Sequence, residues 1–224
     1  MTPYNVKMKA IIFDIETTGL PKMRNPPVNE SWYWPYIVQI SWMVFDIETK
    51  RVEKVHDYII KLPDKISIPD EVVKIHGITK EISNKKGISI KKALAFFTHD
   101  LTRSNFLVAH NINFDDSIVR AEYHRNGLID WLGRYRGTKI CTMKLGMSLC
   151  PIKHIHPRTG NSINKYPKLI ELHEHLFDSR PQNLHNSLID VYVCFRCFYQ
   201  LIYENDYNQK NPVFSRRYNI LSSI

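Results

Sequence analysis

An apolar run, Ala10-Ile11-Ile12-Phe13, passes into alternating acidic and apolar positions, Asp14-Ile15-Glu16, and closes on Thr17-Thr18-Gly19-Leu20. That pattern predicts a buried strand over residues 10–16, with Asp14 and Glu16 on one face because side chains alternate along a strand. Two more strands are expected at 37–46 and 51–62, and the short link at residues 47–50 makes them an antiparallel hairpin. The Pro- and Asn-rich segment 21–35 after the first strand is long enough to be either functional or mobile, and its Trp32, Tyr33 and Trp34 would stack on a base or pack against the domain edge. From Pro69 the apolar spacing turns helical. A first helix, opened by Asp70, runs to Ile75 and stops at His76-Gly77-Ile78-Thr79. A second covers 90–101, with Ala93, Leu94, Phe97 and Leu101 on one side. Residues 106–110 read as a short buried strand that leads into a helix through Arg125, ended by Asn126-Gly127. A short strand at 138–141, a helix over 142–149, a long loop at 150–168 and helices over 168–177 and 187–204 complete the series. The residues beyond Asp206 read as a peripheral basic tail. Three antiparallel strands, then helix–strand alternation, then helices: this order predicts one α/β domain over residues 1–224, with its core in about 9–203 and a five-stranded mixed sheet flanked by helices. Such sheets hold their sites beyond strand carboxyl ends, where Asp14 and Asp115 both fall.

Charge narrows the partner. The chain has 31 Lys and Arg against 22 Asp and Glu, a formal charge of +9, so a polyanion is the default partner and nucleic acid is favoured over an anionic membrane surface. Four cysteines among 224 residues are too sparse for a secreted disulfide framework. The N-terminal lysines and short apolar run ending in acids do not form a signal peptide, and Asp190, Arg196 and Gln200 interrupt the longest apolar stretch. An intracellular, reducing setting without a membrane span is expected. Cys150, His154 and His156 offer a minor metal-site alternative. The 150–168 loop carries Lys153, Arg158, Lys165 and Lys168 and no acid. It is either a solvated face or, beside a carboxylate site, a source of phosphate contacts.

Two carboxylates in a partly dry site repel each other and become tolerable around a cation; the plainer reading is a strand end with acids turned to water. Further motifs decide between these. Phe13-Asp14-Ile15-Glu16-Thr17-Thr18-Gly19-Leu20 resembles the first motif of the DEDDh, or DnaQ-like, 3′-to-5′ exonucleases. His110-Asn111-Ile112-Asn113-Phe114-Asp115 resembles the second. His185-Asn186-Ser187-Leu188-Ile189-Asp190 resembles the third, with histidine five residues before the last aspartate. His76-Gly77-Ile78-Thr79 matches a further stretch frequent in the family. The motifs stand in the family's order, and the resemblance spans about residues 9–203.

The resemblance implies an RNase H-like fold and two-metal hydrolysis of nucleic-acid phosphodiesters, releasing nucleoside 5′-monophosphates from the 3′ end. It places two Mg²⁺ or Mn²⁺ ions on Asp14, Glu16, Asp115 and Asp190, and makes His185 the general base toward the attacking water. Hard cations take oxygen ligands, and a histidine titrating near neutral pH suits the proton transfer. A tyrosine-based sibling branch is excluded, because its tyrosine position is Asn186 here. Thr17, Thr18, Gly19 and Leu20 would seat the 3′-terminal nucleotide, and Asn111, Phe114 and His76 would contact it or its neighbour. For Asn111 and Phe114 the competing roles are a helix cap and a core aromatic. His110 is expected to be structural, and Asp116 to point away from the metals.

The 21–35 and 150–168 loops exceed the family minimum. They would clamp a single-stranded 3′ end, meet a polymerase in proofreading, or form a homodimer surface. Two other classes remain in view. A haloacid-dehalogenase-type phosphatase also starts with a strand, acids at i and i+2 and a threonine at i+4, as in Asp14, Glu16 and Thr18, but leaves the His185–Asp190 pair without a role. A nuclease-like binding module without activity would have lost catalytic residues, and here all are present.

Overall fold

The structure, a computed structural model, describes residues 8–155 and 157–222. Its centre is strand β1 (Lys9–Thr17), which pairs antiparallel with β2 (Ile37–Asp46); β2 in turn pairs antiparallel with β3 (Arg51–Ile59). On its other side β1 pairs parallel with β4 (Phe106–Ala109), and β4 parallel with β5 (Thr138–Cys141), giving the order β3-β2-β1-β4-β5. The expected mixed sheet is therefore present. Helices α1 (Asp70–His76), α2 (Lys80–Lys86) and α3 (Ile90–Leu101) link β3 to β4, and α4 (Ile112–Arg125) links β4 to β5. After β5 come α5 (Thr142–Gly146), the two-stranded ribbon β6 (Lys153–Ile155) and β7 (Ser162–Asn164), and then α6 (Leu169–Phe177), α7 (Ser187–Tyr203), α8 (Tyr207–Lys210) and α9 (Pro212–Ser222).

Alternation along β1 divides the core. Ile11, Phe13 and Ile15 pack with Leu94, Phe97, Ile118 and Val119 of α3 and α4. Ala10 and Ile12 face the opposite way, onto Val191, Cys194, Phe195 and Phe198 of α7. Asp14 and Glu16 continue the second series, so the same pleat that buries Ile12 aims both acids at the α7 side. Because helices cover both faces, β2 is buried along its whole length. Its extra residue, Val38, forms a bulge opposite the Glu16/Thr17 step, where β1 ends beside the acids.

Several segments depart from the sequence reading. The third strand stops at Ile59 instead of Leu62, and Ile60 makes only a lone bridge to Ile88. Helix α2 was not expected; its sequence holds one strong apolar residue, Ile82, and it is started by the Thr79 side chain accepting from the Ile82 N–H. The C-terminal tail is not peripheral over its described residues. Phe214 and Tyr218 of α9 are buried against Tyr192, Phe195 and His173. The helical spacing of two aromatics four residues apart, masked by the basic residues between them, accounts for the difference. Among the described residues no helix is long and apolar enough to cross a membrane.

Candidate active site

Four acids arrive from three directions. Asp14 and Glu16 project from the end of β1, Asp115 from the first turn of α4, and Asp190 from the first turn of α7. Burial pushes the Glu16 carboxyl up to about 8, with Asp190 and Asp115 adding to the rise. Asp190 is pushed up to about 7 by burial, against the pull of the His185 backbone N–H that donates to its Oδ2 at 3.1 Å. Asp14 lies well above the usual carboxylate range through burial and the repulsion of Asp190, Asp115 and Glu16. Asp115 is likewise held high by burial, while backbone N–H groups, its own and that of Ile15, pull it down, and Asp190 and Asp116 push it up. The cause common to all four is burial in a dry space, and for Asp14, Glu16 and Asp115 the neighbouring carboxylates add to it.

His185 stands over this cluster. Its ring and the carboxylates of Glu16 and Asp190 each offer an atom within 4.8 Å of the others. The ring is exposed and among the described residues makes no side-chain hydrogen bond, so its backbone conformation does most to place it. That backbone is in the left-handed region, φ 73°, a conformation that costs a non-glycine residue about 1 kcal/mol and must be held by its surroundings. The holding groups are polar residues of the sheet. Buried Gln39, the cross-strand neighbour of Glu16, accepts from the Ser187 N–H and donates Nε2 to Asn186 Oδ1, both at 3.3 Å, and to Asp57 Oδ1 at 2.8 Å. Ser41, the neighbour of Asp14, hydrogen-bonds Asp57 and the Ser187 hydroxyl. Asn186 Oδ1 caps α7 by accepting from the Leu188 N–H. Sequence reasoning missed this bracket, although Gln39 and Ser41, two polar residues at period two in an otherwise apolar strand, are its trace.

Beside the acids, residues 15–20, Pro69, Val72, Ile75, His76 and Phe114 line an open cleft of about 660 Å³. Thr17 is fixed by its own hydroxyl, which donates to the Gly19 carbonyl at 2.7 Å. Thr18 Oγ1 accepts from the Tyr36 N–H, and the Thr18 N–H donates to the Tyr36 carbonyl. Gly19, at φ 144°, turns the chain where a side chain would be strained, and Leu20 projects into solvent at 79% exposure. His76 Nδ1 accepts from the Ile78 N–H, so Nε2 carries the hydrogen and donates to the Thr17 carbonyl at 3.3 Å. Both ring nitrogens are thereby engaged, and burial lowers the pKa of this ring, which favours its neutral form. Phe114 packs on the α3–α4 core, the competing role, and also lines the cleft. Asn111 occupies the N-cap position of α4 with φ 63°, but its side chain makes no cap bond and is exposed.

The 21–35 segment folds back onto α4. Arg125 donates to the backbone carbonyls of Ser31, Trp34 and Pro35, stacks over Tyr36 at 3.9 Å, and pairs with buried Glu122, which accepts from the Ile37 N–H. Trp34 is buried with its indole N–H on the Pro27 carbonyl, whereas Trp32 is 60% exposed. The aromatics divide between packing and exposure.

Other candidates fall outside the cluster. His110 donates Nε2 to the Pro167 carbonyl and faces Thr142 Oγ1 through Nδ1, and burial lowers it to about 4. Asp116 turns away to Lys139 at 2.6 Å. Cys150 is buried with its thiol on the Glu171 carbonyl, and His154 is exposed, so these two do not converge; His156 lies outside the described residues.

The donor set suits a hard divalent cation. Carboxylate oxygens predominate, and Asp190 Oδ1 is buried without any hydrogen-bond partner, a costly state that a bound ion relieves.

The model of the RNase_T exonuclease family matches residues 11–198. An exonuclease I structure superposes with a TM-score of 0.67 at 16% identity, over 94% of this chain and 44% of that one. E. coli exonuclease I in complex with a dT13 oligonucleotide gives 0.63 at 16% identity, over 87% and 41%. Exonuclease I from Methylocaldum szegediense gives 0.65 at 17% identity, over 93% and 43%. At such identities the likeness establishes the fold, and the chain spans less than half the length of these relatives. No curated protein matches the sequence. With three motifs in order on this fold and a family match over most of its length, the chain belongs to the RNase_T family of DnaQ-like exonucleases.

Proposed function

We propose that the chain is a metal-dependent 3′-to-5′ exonuclease that acts on single-stranded 3′ ends and releases nucleoside 5′-monophosphates. The observation that carries this reading is the convergence of Asp14, Glu16, Asp115 and Asp190 beneath an exposed His185 ring. Asp14, Glu16, Asp115 and Asp190 would hold two Mg²⁺ or Mn²⁺ ions, which supply charge stabilisation for the attacking and leaving oxygens of an in-line displacement. His185 takes the proton of the attacking water; the bond that breaks is the one between phosphorus and the 3′ oxygen of the penultimate nucleotide, so the phosphate leaves on the 5′ side of the terminal nucleoside. The residue 15–20 cleft, floored by Phe114, seats that nucleoside, and Leu20 at its mouth lies beside the base. The bracket of Gln39, Asn186 and Ser187 keeps the His185 turn in register with Glu16. Single-stranded substrate is supported by the oligonucleotide held in E. coli exonuclease I. The phosphatase and inactive-module alternatives have no support in the fold or the family match.

The test is degradation of end-labelled single- and double-stranded DNA and RNA with Mg²⁺ or Mn²⁺, beside Asp190→Ala. Stepwise loss from the 3′ end that stops in chelator and in the variant is expected; metal-independent or endonucleolytic cutting overturns the reading.

A further inference from the structure

We propose that the β6–β7 ribbon is an arm that grips the phosphodiester backbone of nucleic acid beyond the nucleotides seated at the carboxylates. The inference deepens the exonuclease reading and rests on it.

The first observation is a ribbon with no cover. All six strand residues are exposed, including Ile155 at 68% and Ile163 at 41%. A lone two-stranded ribbon is marginal in water, so this one gains most from a partner outside the domain. The second is charge. Between Cys150 and Lys168 there are four Lys and Arg and no acid. Lys165, at the foot of the ribbon, is neutralised by Glu171 at 2.7 Å, whereas among the described residues Lys153 and Arg158 have no acidic partner. The free charge therefore lies on the outer part, where complementarity selects a polyanion over an apolar partner.

The third observation is position. Helix α5 starts directly at the carboxyl end of β5, the same sheet end as Asp14 and Glu16, and the ribbon follows it in the chain. Its return is pinned where the Pro167 carbonyl accepts from His110, the residue before Asn111 and the α4 turn that carries Asp115. Neutral His110 is a pin and not a phosphate ligand. A strand leaving the carboxylates thus meets free Lys153 and Arg158 without crossing acidic surface of the ribbon.

The double variant Lys153→Gln/Arg158→Gln tests the arm. Both residues are exposed, so folding should persist and the melting temperature should not move. Binding of a long labelled oligonucleotide, single-stranded and duplex, is measured in chelator, where no turnover intervenes. Binding should weaken about tenfold on at least one form, and the plot of log K against log salt should flatten by about 1.4–1.8, the contribution of two phosphate contacts. Hydrolysis of a trinucleotide, too short to reach the arm, should keep its wild-type kcat/KM. An unchanged salt slope, or equal losses on trinucleotide and long substrate, overturns the proposal. So does an altered sedimentation of the free protein, which would assign the ribbon to a second copy. Failure of the exonuclease reading would appear separately, as absence of wild-type hydrolysis at both lengths while binding is still measurable.

Discussion

Gln39 is a residue whose importance no local motif announces. It lies 148 positions from Ser187, and only folding brings its amide onto the turn that carries His185. Gln39→Leu keeps the volume and removes the bracket. The expected result is a fall in kcat of about 10- to 100-fold, the scale of a small misplacement of a reacting group, with KM unchanged and the melting temperature lowered because the buried Ser187 N–H loses its acceptor. A rise in KM with normal kcat would give Gln39 a different role. His185→Ala should lower turnover by about 10²–10⁴-fold, the usual reach of a general base, while oligonucleotide affinity in chelator stays intact. Asp14→Asn should abolish cleavage and raise the melting temperature of the metal-free protein, since it deletes one member of a mutually repelling set. Asp14 and Glu16 were legible as a pair from strand alternation, whereas Asp115, His185 and Asp190 were reached through the resemblance of their motifs; the structure brings the five into one cluster. Gln39 and Ser41 were not legible, because their partners are set by the sheet register.

At the scale of elements, those with strong apolar periodicity were read closely: β2 occupies residues 37–46 as expected, and α3 occupies 90–101. What escaped has a physical reason in each case. Helix α2 is short and polar, held by a cap and by Ser83, which bonds the Leu62 N–H and the Ile60 carbonyl. The β6–β7 ribbon has no buried face to imprint a pattern. Helix α9 hides Phe214 and Tyr218 among arginines, and the latter's hydroxyl reaches His173, itself bonded to Arg196. Truncation after Lys210 should therefore cost about 3 kcal/mol or more, the worth of two buried aromatics, as measured by chemical denaturation. A peripheral tail would cost nothing.

For the whole molecule, the carboxylate cluster links stability to pH. Glu16 and Asp190 bind protons more tightly folded than unfolded, at about 8 and about 7 against ordinary values of 4.5 and 3.8. Through that window the native state holds more protons, so the stability of the metal-free protein should fall as pH rises from about 4 to about 8. Melting curves in chelator should show this decline, and saturating Mg²⁺ or Mn²⁺ should flatten it by neutralising the ionised acids.

The same burial makes the resting site a store of protons. Near neutral pH the protein keeps protons on carboxyls that would have lost them in water, and a divalent ion can enter only as they leave. Filling the site is thus an acid-releasing event of roughly one proton or more per molecule. In a weakly buffered solution, adding Mn²⁺ should lower the pH of the wild type and leave that of Asp14→Asn nearly still. In calorimetry the heat of loading should scale with the ionisation enthalpy of the buffer, which reports occupancy before any nucleic acid is present.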